Sequence, residues 1–370
     1  MAPLPWNWQL PEWPNFGYDE SALQDLETEF ILQTGNEGGI LEFVDEADRE
    51  KWLVEILTSE TLRTAEIEGE ILNRESVQSS VKKFLGLDYD QARQPPAEEG
   101  MARVMVDIYR HYNLPLTHEY LWKINALMLS HRRDLSDVGR YRRHAEPMQV
   151  VSGSIGRHRL HFEAPPSEKV PGEMDAFVSW FNRKHQAGKR MHNPLTLAGI
   201  THYYFINIHP FEDGNGRIAR ALSLKSVAMS LQRPVLLNLS AMVNAHKREY
   251  YAMLEKHNHS LNITEWLVWY GRLLIRAQTD AVEKLKWIVQ KIRFFRQKGH
   301  LLNKRQAKVI AKLFEMGSER MSKGLNARTY RRIAHTSEST ATRDLQDLVS
   351  KAVFDRTGER KGTRYYLLLE

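Results

Sequence analysis

The sequence predicts a mainly α-helical protein, with one β-hairpin in its central region and a second one within residues 301–370. Three observations support this fold class. Apolar residues recur at helical spacing through the central region, as at Leu121 and Ile124. Two short runs rich in strand-forming residues, 149–151 and 159–162, flank a glycine-bearing turn. The C-terminal region combines helical patterns with two further short strands.

The chain is long enough for two or three folded units. It has 370 residues, of which 42% are hydrophobic and nine are tryptophan, and this supports sizeable cores. No run of about 18 apolar residues is present, so no membrane span is predicted. The first residues lack the basic and apolar segments of a secretory leader. Cysteine is absent, which excludes disulfides and thiol chemistry and favours a reducing, cytoplasmic location.

The first predicted unit, residues 1–95, is an N-terminal region rich in tryptophan. Its opening residues 6–14 contain Trp and Pro repeatedly. We expect them to dock on the body of the protein, because exposed tryptophans would leave an apolar patch in water. Residues 20–85 are predicted as helices, with a break at the glycine-rich run 35–39. The polar, proline-bearing segment 88–99 predicts the boundary to the next unit.

A helical core at residues 96–275 and a helical linker at 276–300 are the next predicted units. The core contains the predicted hairpin, which is formed by the segments 139–142, 149–151 and 159–162, with Gly153 and Gly156 in its turn. By itself such a hairpin is ordinary structure and indicates no function.

The most informative segment is the run HPFEDGNGRIAR, residues 209–220. Gly214 and Gly216 permit backbone conformations that a Cβ would forbid, and they let a ligand approach closely. Consecutive N–H groups there would form an anion-binding nest. The positive end of a helix predicted from Gly216 to about Gln232 would add to it. This loop suits a ligand that carries phosphate.

The side chains of the same run have matching chemistry. His209 titrates near neutrality and can take a proton from an attacking hydroxyl. Asp213 can hold Mg²⁺, which binds few protein carboxylates and prefers phosphate oxygens. Arg217 and Arg220 are three positions apart on a helix, so both can fork onto phosphate oxygens. The run therefore predicts a site that holds a polyphosphate and reacts beside it.

This run resembles the signature of the Fic family, His-x-Phe-x-(Asp/Glu)-Gly-Asn-Gly-Arg-x-x-Arg, and every fixed position of that signature is filled. The similarity extends over roughly residues 100–275. Most members of the family move AMP from ATP onto a Ser, Thr or Tyr hydroxyl of a protein. The resemblance therefore implies a helical Fic core that uses ATP and Mg²⁺.

The resemblance also implies roles for single residues. His209 would be the catalytic base and Asp213 the Mg²⁺ ligand. Asn215 would donate to the phosphates, while Arg217 and Arg220 would grip the β- and γ-phosphates. The implied ATP site as a whole consists of Glu68, His209, Gly214, Asn215, Gly216, Arg217, Arg220, Tyr250, Tyr251 and Asn258.

Two further segments gain meaning from this resemblance. In the family a hairpin like the one predicted here, called the flap, holds the acceptor segment by strand addition. Tyr250, Tyr251 and Asn258 resemble residues that border the nucleotide pocket in the family. By their sequence alone, two adjacent tyrosines on a helix also fit core packing.

The segment TAEIEG, residues 64–69, resembles the inhibitory motif (Ser/Thr)-x-x-x-Glu-(Gly/Asn) of self-restrained Fic proteins. Glu68 is expected to pair with Arg220, which removes a γ-phosphate ligand and sets a carboxylate where phosphate charge belongs. Like charges in a poorly solvated site cost roughly several kcal/mol. The alternative is that Glu68 is a solvated glutamate on a helix.

Residues 301–370 hold the basic character of the chain. They carry 15 Lys and Arg against 8 Asp and Glu, whereas the whole chain has a net charge of +6. Helical patterns at 305–314, 327–335 and 337–350 precede a hairpin formed by 353–355 and 364–368. This order resembles a winged helix, and residues 342–345 would lie on its recognition helix. Candidates for phosphate contacts are Arg343, Arg356, Arg360 and Lys361. Protein contact or dimerisation is the alternative use of this domain.

Two functions from different classes follow from these motifs. The first is a protein adenylyltransferase, restrained by Glu68, that modifies a protein with an exposed hydroxyl residue, itself included. The second is a DNA-binding regulator, acting through residues 301–370, whose Fic core senses nucleotide or modifies its own chain. The intact site favours the first, because a pure binding module has no need for His209 and Asp213. No membrane partner is expected, and a homodimer is compatible with the sequence. Other Fic-like proteins transfer phosphate or different nucleotides, or remove AMP, so the sequence leaves adenine selectivity open.

Overall fold

A computed structural model of the protein describes residues 4–42, 44–152, 159–186 and 193–369. Within these residues the protein is mainly α-helical with short antiparallel hairpins, which confirms the predicted fold class. None of the helices in these ranges has both the length and the apolar character that crossing a bilayer demands.

The chain divides into two compact units. The first is formed by Met1–Gly39 and Leu53–Ala281, and the second by Ile40–Trp52 and Val282–Glu370. The finer domain limits expected at residues 95, 275 and 300 stay predictions.

The helices and strands follow one another in a simple order along the chain. They are α1 (Ser21–Glu42), α2 (Glu46–Ile67), α3 (Arg74–Leu85), α4 (Pro96–Arg110), α5 (His118–Leu129), β1 (Gln149–Ser152), β2 (Arg159–Glu163), α6 (Val170–Lys184), α7 (Pro194–Ile208), α8 (Asn215–Leu231), α9 (Leu239–Ala245), α10 (Lys247–His257), α11 (Thr264–Lys298), α12 (Lys304–Glu315), α13 (Ser318–Ser322), α14 (Ala327–Ala334), α15 (Glu338–Ser350), β3 (Phe354–Thr357) and β4 (Arg364–Leu367).

Helix α1 continues without interruption through residues 35–39, so the predicted glycine-rich break is wrong. Each interior glycine costs a helix about 1 kcal/mol relative to alanine. The helix is anchored just before the glycines, because Phe30 is fully buried and Thr34 Oγ1 accepts a 2.7 Å hydrogen bond from Gln278 Nε2. Tertiary contacts of this kind override the local preference for a turn.

Helices α7 and α8 lie at the centre of the first unit. Helix α7 is buried on nearly every side, as expected for a helix that is apolar all round. Helix α8 packs against it and begins within one residue of the predicted start at Gly216. The surrounding apolar cluster includes Tyr203, Trp266 and Tyr270. The signature loop (residues 209–214) joins these two helices and is held at both of its ends by the core.

Strands β1 and β2 form the predicted central hairpin. They pair antiparallel, with Val150 opposite Phe162, and the register shifts after Val150. The expected turn, with Gly153 and Gly156, lies outside the described residues.

The segment 139–142 is not a strand, so its predicted place in the hairpin is wrong. Tyr141 and Arg142 are buried, and the Arg142 backbone N–H donates to the Pro210 carbonyl at 2.9 Å. The segment therefore pairs with the signature loop instead of a strand, because burial of these two side chains outweighs the local strand preference.

The second unit contains the elements predicted for residues 301–370. Helices α12, α14 and α15 precede the antiparallel hairpin β3–β4, in which Phe354 pairs with Leu367. Helix α15 begins as predicted, because the Ser337 hydroxyl accepts a hydrogen bond from the Thr340 N–H. An apolar cluster of its own holds these elements together. Their assignment as a winged helix stays a prediction.

Candidate active site

The signature loop is fixed by its own backbone and side chains. His209 ends α7 in the left-handed region at φ 51°, and Gly214 precedes α8 at φ 88°. Asn215 Oδ1 accepts from the Phe211 N–H at 2.9 Å, and Asn215 Nδ2 donates to the Phe211 carbonyl at 2.8 Å. Phe211 itself is fully buried. The Asn215 amide therefore ties the loop to the start of α8, and its implied donation to a phosphate stays a prediction.

His209 is arranged as a proton acceptor. Its Nδ1 lies 3.1 Å from the Ile206 carbonyl. Because a carbonyl can only accept, Nδ1 carries the proton in this contact and Nε2 is the free acceptor. Burial lowers the pKa of the imidazole to about 4, against the opposing effect of the Ile206 carbonyl. At neutral pH the ring is therefore uncharged, which is the form that a general base requires.

Arg142 is a site residue that no specific signal in the sequence indicated, because it is one of three arginines in a short segment. It is 1% exposed. Its Nε donates to the His209 carbonyl at 2.8 Å, and its Nη groups donate to the Pro165 carbonyl at 2.5 Å and the Ser167 hydroxyl at 2.9 Å. Burial lowers its pKa to about 10, so it stays charged at neutral pH. Removal of the donor from a buried carbonyl lowers the free energy of unfolding by about 1–3 kcal/mol. Arg142 thus holds the backbone from which His209 projects.

Asp213, the implied metal ligand, is paired with two arginines. Its Oδ2 accepts from Arg132 Nη1 at 3.0 Å. Its Oδ1 accepts from Arg217 Nη2 at 3.1 Å and from the Gly214 N–H at 2.5 Å. Arg132 is a second site residue that the sequence did not indicate, and it also pairs with Asp134 at 2.6 Å.

Asp213 offers a single carboxylate for Mg²⁺, and both of its oxygens also accept hydrogen bonds from arginines. Across the described part of the chain, no group of three or more His, Cys, Asp or Glu side chains is placed to hold a metal ion. Mg²⁺ commonly binds through one or two carboxylates plus phosphates and water, and a single aspartate beside an anion-binding loop meets that requirement. The Mg²⁺ role of Asp213 stays a prediction.

Arg220 is 1% exposed and contacts the segment that resembles the inhibitory motif. Its Nη2 lies 2.7 Å from Glu68 Oε1, and its Nε donates to the Thr64 hydroxyl at 2.8 Å. The Glu68 carboxylate also lies against Gly216, where a Cβ would come within 2.4 Å of Oε1. Glu68 therefore occupies the space at the start of α8 to which free N–H groups attract anions.

Glu70 makes a similar contact with the other signature arginine, and the sequence prediction missed it. Glu70 Oε2 lies 2.6 Å from Arg217 Nη1, and Arg217 is 1% exposed. The end of α2 explains how both glutamates reach the site. Gly69 adopts φ 86°, and the Glu70 N–H bonds back to the Ala65 carbonyl at 3.0 Å, as in a Schellman cap. The order Glu68-Gly69-Glu70 was the sequence signal for this second contact. A glycine that caps a helix turns the chain, so the carboxylates on either side of it can face the same site.

Charges around the signature loop are balanced by the chain itself. Three guanidinium groups pair with four carboxylates, and the ion pairs join Arg132 to Asp134 and Asp213, Arg217 to Asp213 and Glu70, and Arg220 to Glu68. Two guanidinium nitrogens, Arg217 Nε and Arg220 Nη1, are buried without a hydrogen-bond partner in the residues that the structure describes. Helix α8 therefore keeps unused hydrogen-bond donors although both of its site arginines are paired with carboxylates.

A cavity of about 840 Å³ opens beside the signature loop, between strands β1 and β2 and helix α10. Tyr250 is 2% exposed and its hydroxyl bonds to His202 Nε2 at 2.8 Å, which fits the packing alternative. Tyr251 is 40% exposed at the cavity wall, which fits a ligand contact. Asn258 Nδ2 donates to the His161 carbonyl of β2 at 2.9 Å.

The structure brings the sequence-predicted site residues together. Those that line the cavity are Glu68, His209, Asp213, Gly214, Asn215, Gly216, Tyr250, Tyr251 and Asn258. Arg217 and Arg220 lie directly behind this wall, each bonded to a carboxylate that lines it. Their individual roles toward a nucleotide stay predictions.

Comparison with known proteins identifies two parts of the chain. Residues 115–225 match the model of the Fic/DOC family, and residues 6–87 match a domain of unknown function, DUF4172. The chain is similar to Protein adenylyltransferase Fic of Nematostella vectensis, with 30% identity over 142 residues that cover 37% of this chain and 29% of that protein. It is 24% identical over 268 residues to Protein adenylyltransferase Fic of Drosophila virilis, which covers 68% of this chain and 49% of that protein. The chain thus spans less than half the length of either relative.

Two solved structures share the fold. A Fic family protein from Desulfovibrio desulfuricans G20 superposes with a TM-score of 0.54 at 20% identity, over 96% of this chain and 98% of that one. Fic-1 from C. elegans superposes with a TM-score of 0.51 at 19% identity, over 74% of each chain. At these identities the likeness establishes the fold alone, and it agrees with the mainly helical architecture.

Proposed function

We propose that this chain, in which residues 115–225 form a Fic/DOC family domain, is a protein adenylyltransferase. It moves AMP from ATP onto a Ser, Thr or Tyr hydroxyl of a protein, its own chain included. One observation carries the proposal: the signature loop and the first turns of α8 combine an uncharged imidazole, a glycine-bounded helix start and two buried arginines beside one cavity. Nucleotidyl transfer requires groups that hold phosphate charge and a neutral base next to them.

The proposed reaction is an in-line displacement at the α-phosphorus of ATP. His209 Nε2 takes the proton of the acceptor hydroxyl, whose oxygen bonds to phosphorus while the bond to pyrophosphate breaks. N–H groups at the start of α8 stabilise the negative charge of the phosphates. Arg217 and Arg220 orient the β- and γ-phosphates. Asp213 would hold Mg²⁺, which would supply positive charge against the phosphates. No residue needs to form a covalent intermediate.

The hairpin β1–β2 is proposed to hold the acceptor segment. Val151 and Leu160 are cross-strand neighbours that are 47% and 42% exposed, and both strands contribute to the cavity wall. An extended segment that lies along the hairpin can use backbone hydrogen bonds for affinity and this apolar pair for side-chain contact.

A transfer assay with ATP labelled on either the α- or the γ-phosphate tests the proposed reaction. With Mg²⁺ supplied, we expect only the α label to be incorporated into the Glu68→Gly chain, and neither label into a chain that also carries His209→Ala. Incorporation of the γ label alone would assign phosphate transfer instead of adenylyl transfer. Absence of both labels would overturn the proposal.

Glu68 is proposed to restrain this activity. Its carboxylate holds Arg220 at 2.7 Å and fills the space beside Gly216. ATP must either displace the carboxylate or bind with its phosphates out of line, because two anions cannot share the same donors at low cost. Arg220 is thereby withheld from the γ-phosphate until Glu68 moves.

The Glu70–Arg217 ion pair gives a second, separable prediction. In a chain that already carries Glu68→Gly, Glu70→Gln is expected to raise the rate of AMP incorporation about fivefold. The exchange removes the carboxylate that competes with phosphate for Arg217 while it keeps the size of the side chain. Initial rates of α-label incorporation measure the effect. Glu66→Gln is the matched control, because Glu66 lies on the same helix end and pairs with Arg63 at the surface. Equal rates in the Glu70→Gln and Glu66→Gln chains would contradict a role for Glu70.

A winged helix in residues 301–370, and its use in DNA binding, also remain proposals. On α15, Asp344 is buried and pairs with Arg305 at 2.6 Å, while Arg343 is exposed. Arg356 and Arg360 are exposed as well. Exposed cations of this kind suit contacts with a phosphate backbone.

A gel-shift experiment tests this use. We expect the chain to retard a DNA duplex in a salt-dependent way, and we expect reversal of charge at Arg343 and Arg360 to abolish the shift. Retention of binding after reversal, or no binding at low salt, would favour protein contact or self-association.

A further inference from the structure

The start of the chain reaches the candidate active site. Residues 6–8, which we call the N-terminal strap, belong to the region of unknown function that precedes the Fic/DOC domain. The strap contacts three parts of the site: the end of α7, the loop after α10 and strand β2. These parts are far from it in the sequence, so the contacts exist only in the folded chain.

Asn7 bonds to two of these parts at once. It is fully buried. Its backbone N–H donates to the Asn258 carbonyl at 2.7 Å, and its Nδ2 donates to Asn207 Oδ1 at 2.8 Å and to the Tyr203 hydroxyl at 2.9 Å. Asn207 lies two residues before His209 and lines the cavity, as Asn258 does. Asn7 thus fixes the distance between helix α7 and the loop that carries Asn258.

The two tryptophans of the strap hold the root of the hairpin. Trp8 Nε1 donates to the Glu163 carbonyl at the end of β2 at 2.7 Å. Trp6 packs edge-on against Phe162 of β2, with ring centroids 5.4 Å apart, and stacks on His259 at 4.6 Å. An aromatic pair and a partly buried hydrogen bond therefore join strand β2 to the strap.

The hairpin depends on such support. An isolated two-stranded hairpin is marginally stable in water and needs packing against another element. Val151 and Leu160 leave one side of it exposed. On the other side, the strap and the bond from Asn258 Nδ2 to the His161 carbonyl hold β2 in place.

We infer that the N-terminal strap is a positioning element that orders the hairpin for transfer, through its own bond to β2 and through Asn258, which also bonds to β2. This inference rests on the proposed function, because it assigns the strap to the acceptor-holding part of that site. The strap residues do not line the cavity, so they act through β2 and Asn258 and not on the substrate itself. The region of unknown function thereby contributes to the same site twice, through the strap at its start and through Glu68 further along the chain.

Hydrogen exchange followed by mass spectrometry tests the inference without reference to activity. Trp8→Phe keeps an aromatic ring and removes the indole donor. We expect amides of residues 159–163 to exchange about tenfold faster in Trp8→Phe than in the parent chain, as the loss of one partly buried hydrogen bond implies. Trp13→Phe is the matched control, because the Trp13 indole donates to Glu173 of α6 and not to the hairpin. Unchanged exchange in Trp8→Phe would overturn the inference. Equal acceleration in both variants would overturn it too, because it would indicate general destabilisation.

A kinetic readout separates positioning from a merely structural role. In the Glu68→Gly background we expect Trp8→Phe to lower the rate of AMP incorporation about tenfold at saturating ATP, with the dissociation constant for ATP changed less than twofold. A parallel loss of ATP affinity would overturn the assignment to the acceptor hairpin. If no variant incorporates AMP, the proposed function fails, while the exchange experiment still decides whether the strap orders the hairpin.

Discussion

Glu68→Gly is expected to raise the rate of AMP incorporation about 10²-fold over that of the unaltered chain. Such a factor corresponds to about 3 kcal/mol of barrier. The exchange removes the carboxylate that pairs with Arg220, and in the proposed mechanism it frees this guanidinium for the γ-phosphate. It also vacates the space beside Gly216 that Glu68 Oε1 fills.

Two measurements identify the cause of this increase. Initial rates of α-label incorporation give the gain in transfer, and isothermal titration with ATP gives the change in affinity. Glu66→Gly is the matched control, because it places a glycine in the same last turn of α2 but leaves the Glu68–Arg220 pair in place. An unchanged rate in Glu68→Gly, in a preparation where His209→Ala abolishes transfer, would remove the restraint from the proposal. A similar gain in both glycine variants would assign the effect to loosening of the helix end.

His209→Ala is expected to abolish transfer, with a loss of about 10³-fold or more. A positioned general base typically contributes 10²–10⁴-fold to the rate. Among the described residues, His161 of the hairpin is the one other histidine that lines the cavity. His161 is held by Glu255 at 3.0 Å and is therefore not a free substitute. The measurement is incorporation of the α label into Glu68→Gly chains with and without His209→Ala. Binding of ATP is expected to persist in the alanine variant, since the arginines and the glycine nest are intact.

The low pKa of His209 predicts the pH dependence of transfer. The base must be uncharged, and burial lowers its pKa to about 4. As pH falls, the reactive form is therefore kept through pH 6 and 5 and is lost only near pH 4, below which the rate declines about tenfold per unit. An ordinary imidazole would lose the reactive form already below a pH of about 6.5. The pH profile of kcat/KM for ATP, with circular dichroism at each pH to establish that the chain is folded, distinguishes these cases. If kcat/KM instead shows a single inflection near pH 6.5, and ATP binding measured alone does not, the low pKa of His209 is contradicted.

Some predictions from the sequence depended only on short-range patterns. The helical spacing of apolar residues gave the fold class, and glycine-bounded strands gave both hairpins. The predicted break in α1 is wrong because the local preference of glycine for turns is outweighed by the tertiary contacts of Phe30 and Thr34. The segment 139–142 failed for the same reason, since the burial of Arg142 beside the signature loop is a long-range effect.

The sequence by itself determined the chemistry of the signature loop. The histidine, aspartate, glycines and arginines all lie within the twelve residues 209–220. A turn and one helix start are therefore enough to bring them together. Only the tertiary structure decided what neutralises and supports this chemistry. Glu70 and Arg132 supply counter-charges, Arg142 holds the backbone of His209, and the N-terminal strap reaches Asn258. These partners are separated from the loop by tens to hundreds of residues, and their contacts form because buried charges and buried donors must be paired wherever the folded core places them.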